Sequence, residues 1–156
     1  SNKANLLVKS VVTHSSQPFY VETVATSKLA MKLSNAMDNV ETDTDKRLQV
    51  FVQVNTSGEE SKSGVSPEGV TALCKDILEN CPRLQLRGLM TIGAPGDPGA
   101  FDVLRKCRDD VSTALNLQNL DLSMGMSGDF EEAIIRGATV VRVGSTIFGE
   151  RDYSKN

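Results

Sequence analysis

The sequence has little of what several classes of functional site require. It contains one histidine, His14, no tryptophan, and three cysteines at positions 74, 81 and 107 that form no CxxC pair. A single histidine and this cysteine spacing argue against a zinc site, and a Ser–His–Asp triad would have to use His14 itself. We therefore expect no resident metal and no catalytic residues of these kinds, and we expect His14 to lie in an exposed polar loop.

The chain also lacks the features of membrane, secreted and nucleic-acid-binding proteins. No apolar run approaches the roughly 18 residues that cross a bilayer, and no signal-peptide pattern opens the chain. Its 17 basic and 20 acidic residues form no long block of one sign, so we expect no nucleic-acid partner. An odd number of cysteines without a secretory signal predicts free thiols in a reducing, cytoplasmic setting. An organelle address before Ser1 stays open.

Short apolar segments alternate with helical patterns along the 156 residues. We predict strands at 19–24, 48–54, 84–90, 120–123 and 140–143. We predict helices over 2–12, from an N-cap at Ser27, from an N-cap at Ser66 with Pro67 in the first turn, and over 101–115. The third helix should bury one face, formed by Val70, Leu73, Cys74, Ile77 and Leu78. This alternation predicts a parallel sheet, either open and doubly wound or the C-terminal part of a barrel; the GxGxxG fingerprint common in the former is absent.

The last third of the chain carries the clearest candidate site. Ser123–Phe130 and Val140–Gly149 each read as a strand that enters a Gly/Ser turn and then a helix. Backbone N–H groups, hydroxyls and helix N-termini at such turns favour anions. In parallel barrels the loops after the last two strands are a frequent phosphate site. The sequence therefore points to a phosphorylated small molecule.

Several spaced motifs carry a resemblance to a known family. They are Gln53-Val54-Asn55 with Glu60-Ser61-Lys62-Ser63-Gly64, then Arg87-Gly88-Leu89-Met90, Ser123-Met124-Gly125-Met126-Ser127 and Val141-Arg142-Val143-Gly144-Ser145-Thr146-Ile147-Phe148-Gly149, with the tail Arg151-Asp152-Tyr153-Ser154-Lys155. In this order and over nearly the whole chain they resemble the pyridoxal phosphate homeostasis protein family. The opening Ser1-Asn2-Lys3 resembles the end of that family's segment after its third barrel strand.

The resemblance implies a TIM-type (β/α)8 barrel like the N-terminal domain of alanine racemase. Residues 1–156 would form a single, incomplete domain, the C-terminal part of the barrel with about five strand–helix units and without strands one to three. The family binds pyridoxal 5′-phosphate (PLP) through a lysine in an Ala-Val-Ser-Lys motif of the first strand, and this chain has no such motif. Because an opened barrel has two sheet edges, we expect the isolated chain to associate.

The implied function is storage, buffering or delivery of the vitamin B6 cofactor, with PLP-dependent apoenzymes as partners and without strong catalysis. One alternative is a PLP-dependent enzyme similar to amino-acid racemases. Alanine racemase draws a catalytic tyrosine from a second domain, however, and neither Tyr20 nor Tyr153 lies where the motifs would place an acid or base. The other alternative is a fragment that binds no PLP.

The resemblance also implies roles for individual residues. Ser127 and the Gly144-Ser145 turn would hold the phosphate, Arg142 would lie against the pyridine nitrogen or the phosphate, and Met90 and Met126 would line the ring pocket. Each residue taken alone has a structural alternative: a turn glycine, a surface cation, a core methionine, or, for Ser127, a cap for the helix that begins near Phe130. Lys62 is a candidate secondary attachment point for PLP, although a solvated loop lysine is the favoured interpretation.

Overall fold

The computed structural model describes residues 3–11, 14, 19–40, 45–58, 63–94 and 96–150. Helices and strands alternate through this part of the chain. The helices are α1 (Ala4–Val11), α2 (Ser27–Asp38), α3 (Val70–Asn80), α4 (Gly99–Leu115), α5 (Phe130–Ile135) and α6 (Ser145–Phe148). The strands are β1 (Tyr20–Val24), β2 (Leu48–Gln53), β3 (Leu84–Met90), β4 (Asp121–Met126) and β5 (Val140–Arg142). All five predicted strands are confirmed, and β3 has the predicted bounds.

The strands form one parallel sheet in which spatial order follows chain order, β1-β2-β3-β4-β5. A doubly wound sheet reverses its strand order at a switch point near its centre, whereas a (β/α)8 barrel adds each strand beside the previous one. The observed order is therefore that of part of a barrel. The carboxyl ends of all five strands lie at one edge of this sheet, where both candidate loops begin.

The two faces of the sheet have different neighbours. Successive residues of a strand point to opposite faces, and in β2 the side chains of Val50 and Val52 pack into the main apolar cluster with helices α2, α3 and α4. Phe51 and Gln53 alternate with them, are also buried, and lie outside that cluster. The second face is thus the inner face of the half-barrel, and it carries polar as well as apolar side chains.

Some predicted helix starts are wrong by one to three residues. Thr26 is the N-cap of α2, with its hydroxyl accepting the Leu29 N–H at 3.2 Å, and Ser27 is the first helical residue. Helix α3 begins only at Val70, because Ser66 closes a turn by accepting the Gly69 N–H at 3.3 Å. Leu78, predicted to lie on the buried face of α3, is 47% exposed.

Gly88 allows strands β3 and β4 to approach closely. It pairs with Asp121 in the ladder, and a Cβ at position 88 would lie 2.1 Å from the Asp121 carbonyl oxygen. Only a residue without a side chain fits this spacing. The adjoining pairs of the same ladder join Met90 to Ser123, so Gly88 fixes the alignment of two strands that carry candidate site residues.

The three cysteines are free and buried, as predicted for Cys74. Burial raises the pKa of the Cys74 thiol to about 12, with a further contribution from the nearby Cys107 thiol. His14 is exposed, as expected. The predicted loop residues 15–18, 41–44 and 59–62, and the tail 151–156, lie outside the described residues.

Candidate functional site

Five of the six predicted site residues lie at or just beyond the carboxyl ends of β4 and β5, and Met90 ends the neighbouring strand β3. Met126 and Arg142 are the last residues of β4 and β5, and they pair with each other in the ladder. Met90 ends β3 and pairs with Ser123 of β4. The sheet register therefore brings together side chains that are separated by up to 52 positions in the chain.

Ser127 joins the loop after β4 to the loop after β5. Its hydroxyl oxygen accepts the backbone N–H of Gly144 at 3.0 Å and that of Thr146 at 3.3 Å. It is not the N-cap of α5, since that position belongs to Asp129. The Asp129 carboxylate instead accepts the Met126 N–H at 2.6 Å and closes the turn that contains Ser127. The capping interpretation of Ser127 is therefore wrong for its own helix.

The loop after β5 offers neutral donors and open space. Gly144 and Ser145 are exposed, and a Cβ at Gly144 would meet nothing within 4 Å. Helices α5 and α6 contain only six and four residues. Because so few peptide dipoles align, the helix termini add little to an anion site here. Hydroxyl and backbone N–H groups are the relevant donors.

Arg142 reaches from the end of β5 across the inner face of the sheet. Its Nη1 donates to the Ser123 hydroxyl at 2.7 Å, and its Nη2 donates to the Thr91 carbonyl oxygen at 2.8 Å. A guanidinium has five N–H donors. The other three have no hydrogen-bond acceptor among the described residues. The arginine is thus held by two contacts while retaining donors for a ligand.

A carboxylate that the sequence analysis missed completes this arrangement. The Ser123 hydroxyl donates to Glu22 Oε2 at 2.6 Å, and the same oxygen lies 3.9 Å from Arg142 Nη1. Burial lowers the pKa of the Arg142 guanidinium, and the negative charges of Glu22 and Asp129 oppose that shift. An acidic residue within an apolar strand was the available signal for Glu22, but its partner lies 101 positions away.

The methionines flank the arginine. Met90 is buried, with 4% exposure, and Met126 is half-buried. The register places Met90 beside Ser123 and Met126 beside Arg142, so both adjoin the arginine and its anchor. Lys62 and Tyr153 lie outside the described residues.

Two cavities lined by described residues adjoin the site and differ in character. One, of about 400 Å³, is lined by residues 127–132 and 135 and includes the carboxylates of Asp129, Glu131 and Glu132. Three carboxylates disfavour a phosphate in it. The other, of about 260 Å³, lies at the ends of β2 and β3 and is lined by neutral side chains, among them Asn55, Thr56 and Thr91. Thr91 links this cavity to the guanidinium, because its carbonyl oxygen accepts from Arg142.

The described residues form neither a metal-binding cluster nor a membrane-spanning helix. Within the ranges given above, no three histidine, cysteine or acidic side chains are grouped so that they could hold a metal ion. None of the helices in those ranges combines the length and the apolar character that a membrane span requires.

Comparison with known families places this geometry in context. The model of the alanine racemase N-terminal domain matches residues 12–152. The chain belongs to this family. The parallel half-barrel is the expected architecture, and the predicted fold class is confirmed.

Within that family the chain is similar to the pyridoxal phosphate homeostasis proteins, which confirms the resemblance drawn from the motifs. It is 45% identical to the Homo sapiens protein over 145 residues, which cover 88% of this chain and 52% of the human one. It is 42% identical to the Vibrio cholerae protein over 144 residues, covering 88% of this chain and 58% of that one. The chain spans about half the length of the curated relatives it matches.

Comparison with solved structures also finds this fold. PipY from Synechococcus elongatus without PLP matches with a TM-score of 0.78 at 27% identity, over 96% of this chain and 66% of its own. PipY with PLP bound matches with a TM-score of 0.74 at 26% identity, over 95% and 66%. Alanine racemase from Clostridium difficile, at 14% identity and a TM-score of 0.68 over 98% of this chain and 38% of its own, shows the fold alone.

Proposed function

We propose that this chain binds PLP and serves in the intracellular homeostasis of vitamin B6, by storing, buffering or delivering the cofactor. The observation that carries the proposal is the convergence of Ser127, Gly144 and Arg142 at the ends of β4 and β5. The similarity to PipY, one structure of which has PLP bound, supports the choice of ligand. Free, buried cysteines accord with a cytoplasmic location.

The donor set fits the two ends of the cofactor. The hydroxyls of Ser127 and Ser145 and the Ser145 N–H would hold the phosphate, since neutral hydroxyl and amide donors are common phosphate ligands. Arg142 is anchored to Ser123 of β4 and to Thr91, which follows β3, the middle strand of the sheet. Of the two alternatives that the sequence left open, we therefore propose the pyridine nitrogen rather than the phosphate as its ligand.

This assignment favours a carrier over an enzyme. PLP supplies an electron sink to enzymes that use it, and the sink is strongest when the ring nitrogen is protonated. A cationic donor such as Arg142 leaves that nitrogen unprotonated and so weakens the sink. Among the described residues, Tyr20 lies at the amino end of β1, with its ring tilted against that of Phe51 and the ring centroids 6.2 Å apart. Delivery to PLP-dependent apoenzymes would then be the use of the bound cofactor.

Titration with PLP tests the proposal directly. We expect saturable binding, followed by absorbance or by fluorescence, that weakens about tenfold or more in Ser127→Ala, because a hydrogen bond to a charged group contributes about 1.5–3 kcal/mol. Thr113→Ala removes an exposed hydroxyl of α4 and should leave binding unchanged. The N–H groups that Ser127 releases are exposed, so the variant should keep the fold.

Two further measurements separate the roles. Arg142→Lys should weaken PLP binding more than the matched Arg105→Lys on the surface of α4, since lysine cannot reproduce the forked contacts of a guanidinium. Borohydride reduction with peptide mapping tests whether Lys62 is modified. Absence of saturable binding, or equal binding by the wild type and Ser127→Ala, would contradict the proposal.

A further inference from the structure

Glu22 and Ser123 meet although three strand intervals separate them. Glu22 lies in β1 and Ser123 in β4, with β2 and β3 between them, and neighbouring strands are about 4.8 Å apart. A flat sheet would hold the two backbones roughly 14 Å apart. The hydrogen bond of 2.6 Å therefore requires both side chains to project from the concave face, where the curvature of the half-barrel brings them together.

The hydrogen bonds through Ser123 have a fixed direction. A hydroxyl has one proton and can both donate and accept. Glu22 only accepts and Arg142 only donates, so Arg142 donates to Ser123 and Ser123 donates to Glu22. Ser123 has no exposed surface. The side chains of Glu22 and Arg142, at the two ends of this series of hydrogen bonds, are about three-quarters buried. Such a chain has one arrangement that satisfies every member.

We propose that Glu22 and Ser123 are positioning residues, which act through this chain of hydrogen bonds to hold the Arg142 guanidinium in place for its ligand. The Thr91 carbonyl fixes the other terminal nitrogen, so the guanidinium plane is held at two points. An arginine side chain that is already ordered loses less rotamer freedom when a ligand binds. The inference rests on the proposed function for the identity of the ligand, but the anchoring itself belongs to the chain without ligand.

The first test uses the chain without PLP. In arginine-selective ¹⁵N NMR, with the signal assigned through Arg142→Lys, we expect slow rotation about the Arg142 Cζ–Nη bonds. Ser123→Ala and Glu22→Ala should make that rotation fast, as in an exposed arginine. Glu22→Gln retains an oxygen that accepts the Ser123 hydrogen bond and should preserve slow rotation. Glu131→Ala removes an exposed carboxylate of α5 and should change nothing.

The second test is a double-mutant cycle on PLP affinity. We expect Ser123→Ala to weaken binding roughly 3- to 10-fold and to have no further effect in the Arg142→Lys background, because both changes remove the same ordered guanidinium. A purely structural role in joining β1 to β4 would give additive losses instead. If Ser123→Ala does not fold, Glu22→Ala takes its place, since Glu22 is the more exposed partner.

The outcomes separate the inference from the proposed function. Slow rotation that persists in Ser123→Ala and Glu22→Ala, or additive losses in the cycle, would overturn the positioning role. Slow rotation that depends on Ser123 and Glu22, in a wild-type chain that binds no PLP, would uphold the positioning role and refute the proposed function.

Discussion

Replacing Gly88 by alanine should separate the two strands that support the site. A Cβ at position 88 would lie 2.1, 2.7 and 2.8 Å from the carbonyl oxygen, carbonyl carbon and nitrogen of Asp121. A Cβ atom essentially never comes within 3.0 Å of a heavy atom outside its own residue and its two chain neighbours. The strands would thus have to move apart by about 0.9 Å, the difference between 3.0 and 2.1 Å. All three contacts are backbone atoms, so no side-chain rotation relieves them.

The expected loss follows from the ladder that this movement disturbs. Overpacking of a buried position costs about 1–3 kcal/mol, and a weakened backbone hydrogen bond adds about 1 kcal/mol. We therefore expect Gly88→Ala to lower the free energy of unfolding by about 2–4 kcal/mol, a large part of the roughly 5–15 kcal/mol of a typical domain. The Met90–Ser123 pair lies in the same ladder, so binding through Arg142 should weaken as well.

Urea unfolding followed by far-ultraviolet circular dichroism measures this loss. Gly128→Ala is the matched control, because a Cβ there meets nothing within 4 Å and its φ is not in the left-handed region. That variant should stay within about 0.5 kcal/mol of the wild type. Equal midpoints for the two variants would refute the reasoning from the close approach of β3 and β4.

Three further predictions concern the helices and the surface. Since the folded-state pKa of Cys74 is raised from 9.0 to about 12, its contribution to stability is complete below pH 9 and is lost as the pH rises towards 12. The loss in the free energy of unfolding is at most about 4 kcal/mol. The difference between the urea midpoints at pH 8 and pH 11 should be smaller in Cys74→Ala than in the wild type, and an equal difference would contradict the assignment. Thr26→Ala should cost about 1 kcal/mol and Ser27→Ala less than about 0.5, measured by thermal unfolding, with the reverse order contradicting the capping geometry. Ile135 and Phe148 are 79% and 85% exposed, so the chain should associate with rising concentration in sedimentation velocity, and changing both to serine should reduce it; a wild-type monomer at all concentrations would refute this.

The parallel sheet was predictable because each strand is a short apolar segment followed by a helical pattern. Strand 84–90 could be bounded correctly, since a proline turn precedes it and a glycine-rich loop follows. Helix starts were harder to predict. Thr26 and Ser27 are both capping residue types, and the extended conformation of Thr26, with φ −149° and ψ 148°, decides between them. That conformation depends on how β1 leads into α2, which no local pattern encodes.

The candidate site was likewise predictable only in part from the sequence. Ser127, Arg142 and Gly144 could be singled out because they stand at the ends of successive strands and carry donors. The hydrogen-bond partner of Ser127 could not be predicted, since its hydroxyl binds the neighbouring loop rather than the helix that follows it. Glu22 escaped notice because its contact with Ser123 exists only once the sheet curves.

The different roles proposed for the donors of the site follow from the hydrogen bonds that each of them makes. Arg142 uses two of its donors inward, towards Ser123 and the Thr91 carbonyl, and its charge is offset by Glu22 at 3.9 Å. Under the proposed function we assign this guanidinium to the ring and not to the loop at Ser127 and Gly144. The phosphate would then depend on neutral hydroxyl and amide donors, and the one cation of the described site would be left for the ring. Under the proposed function, that arrangement would retain the cofactor through many moderate contacts without promoting its chemistry, as storage and delivery of PLP require.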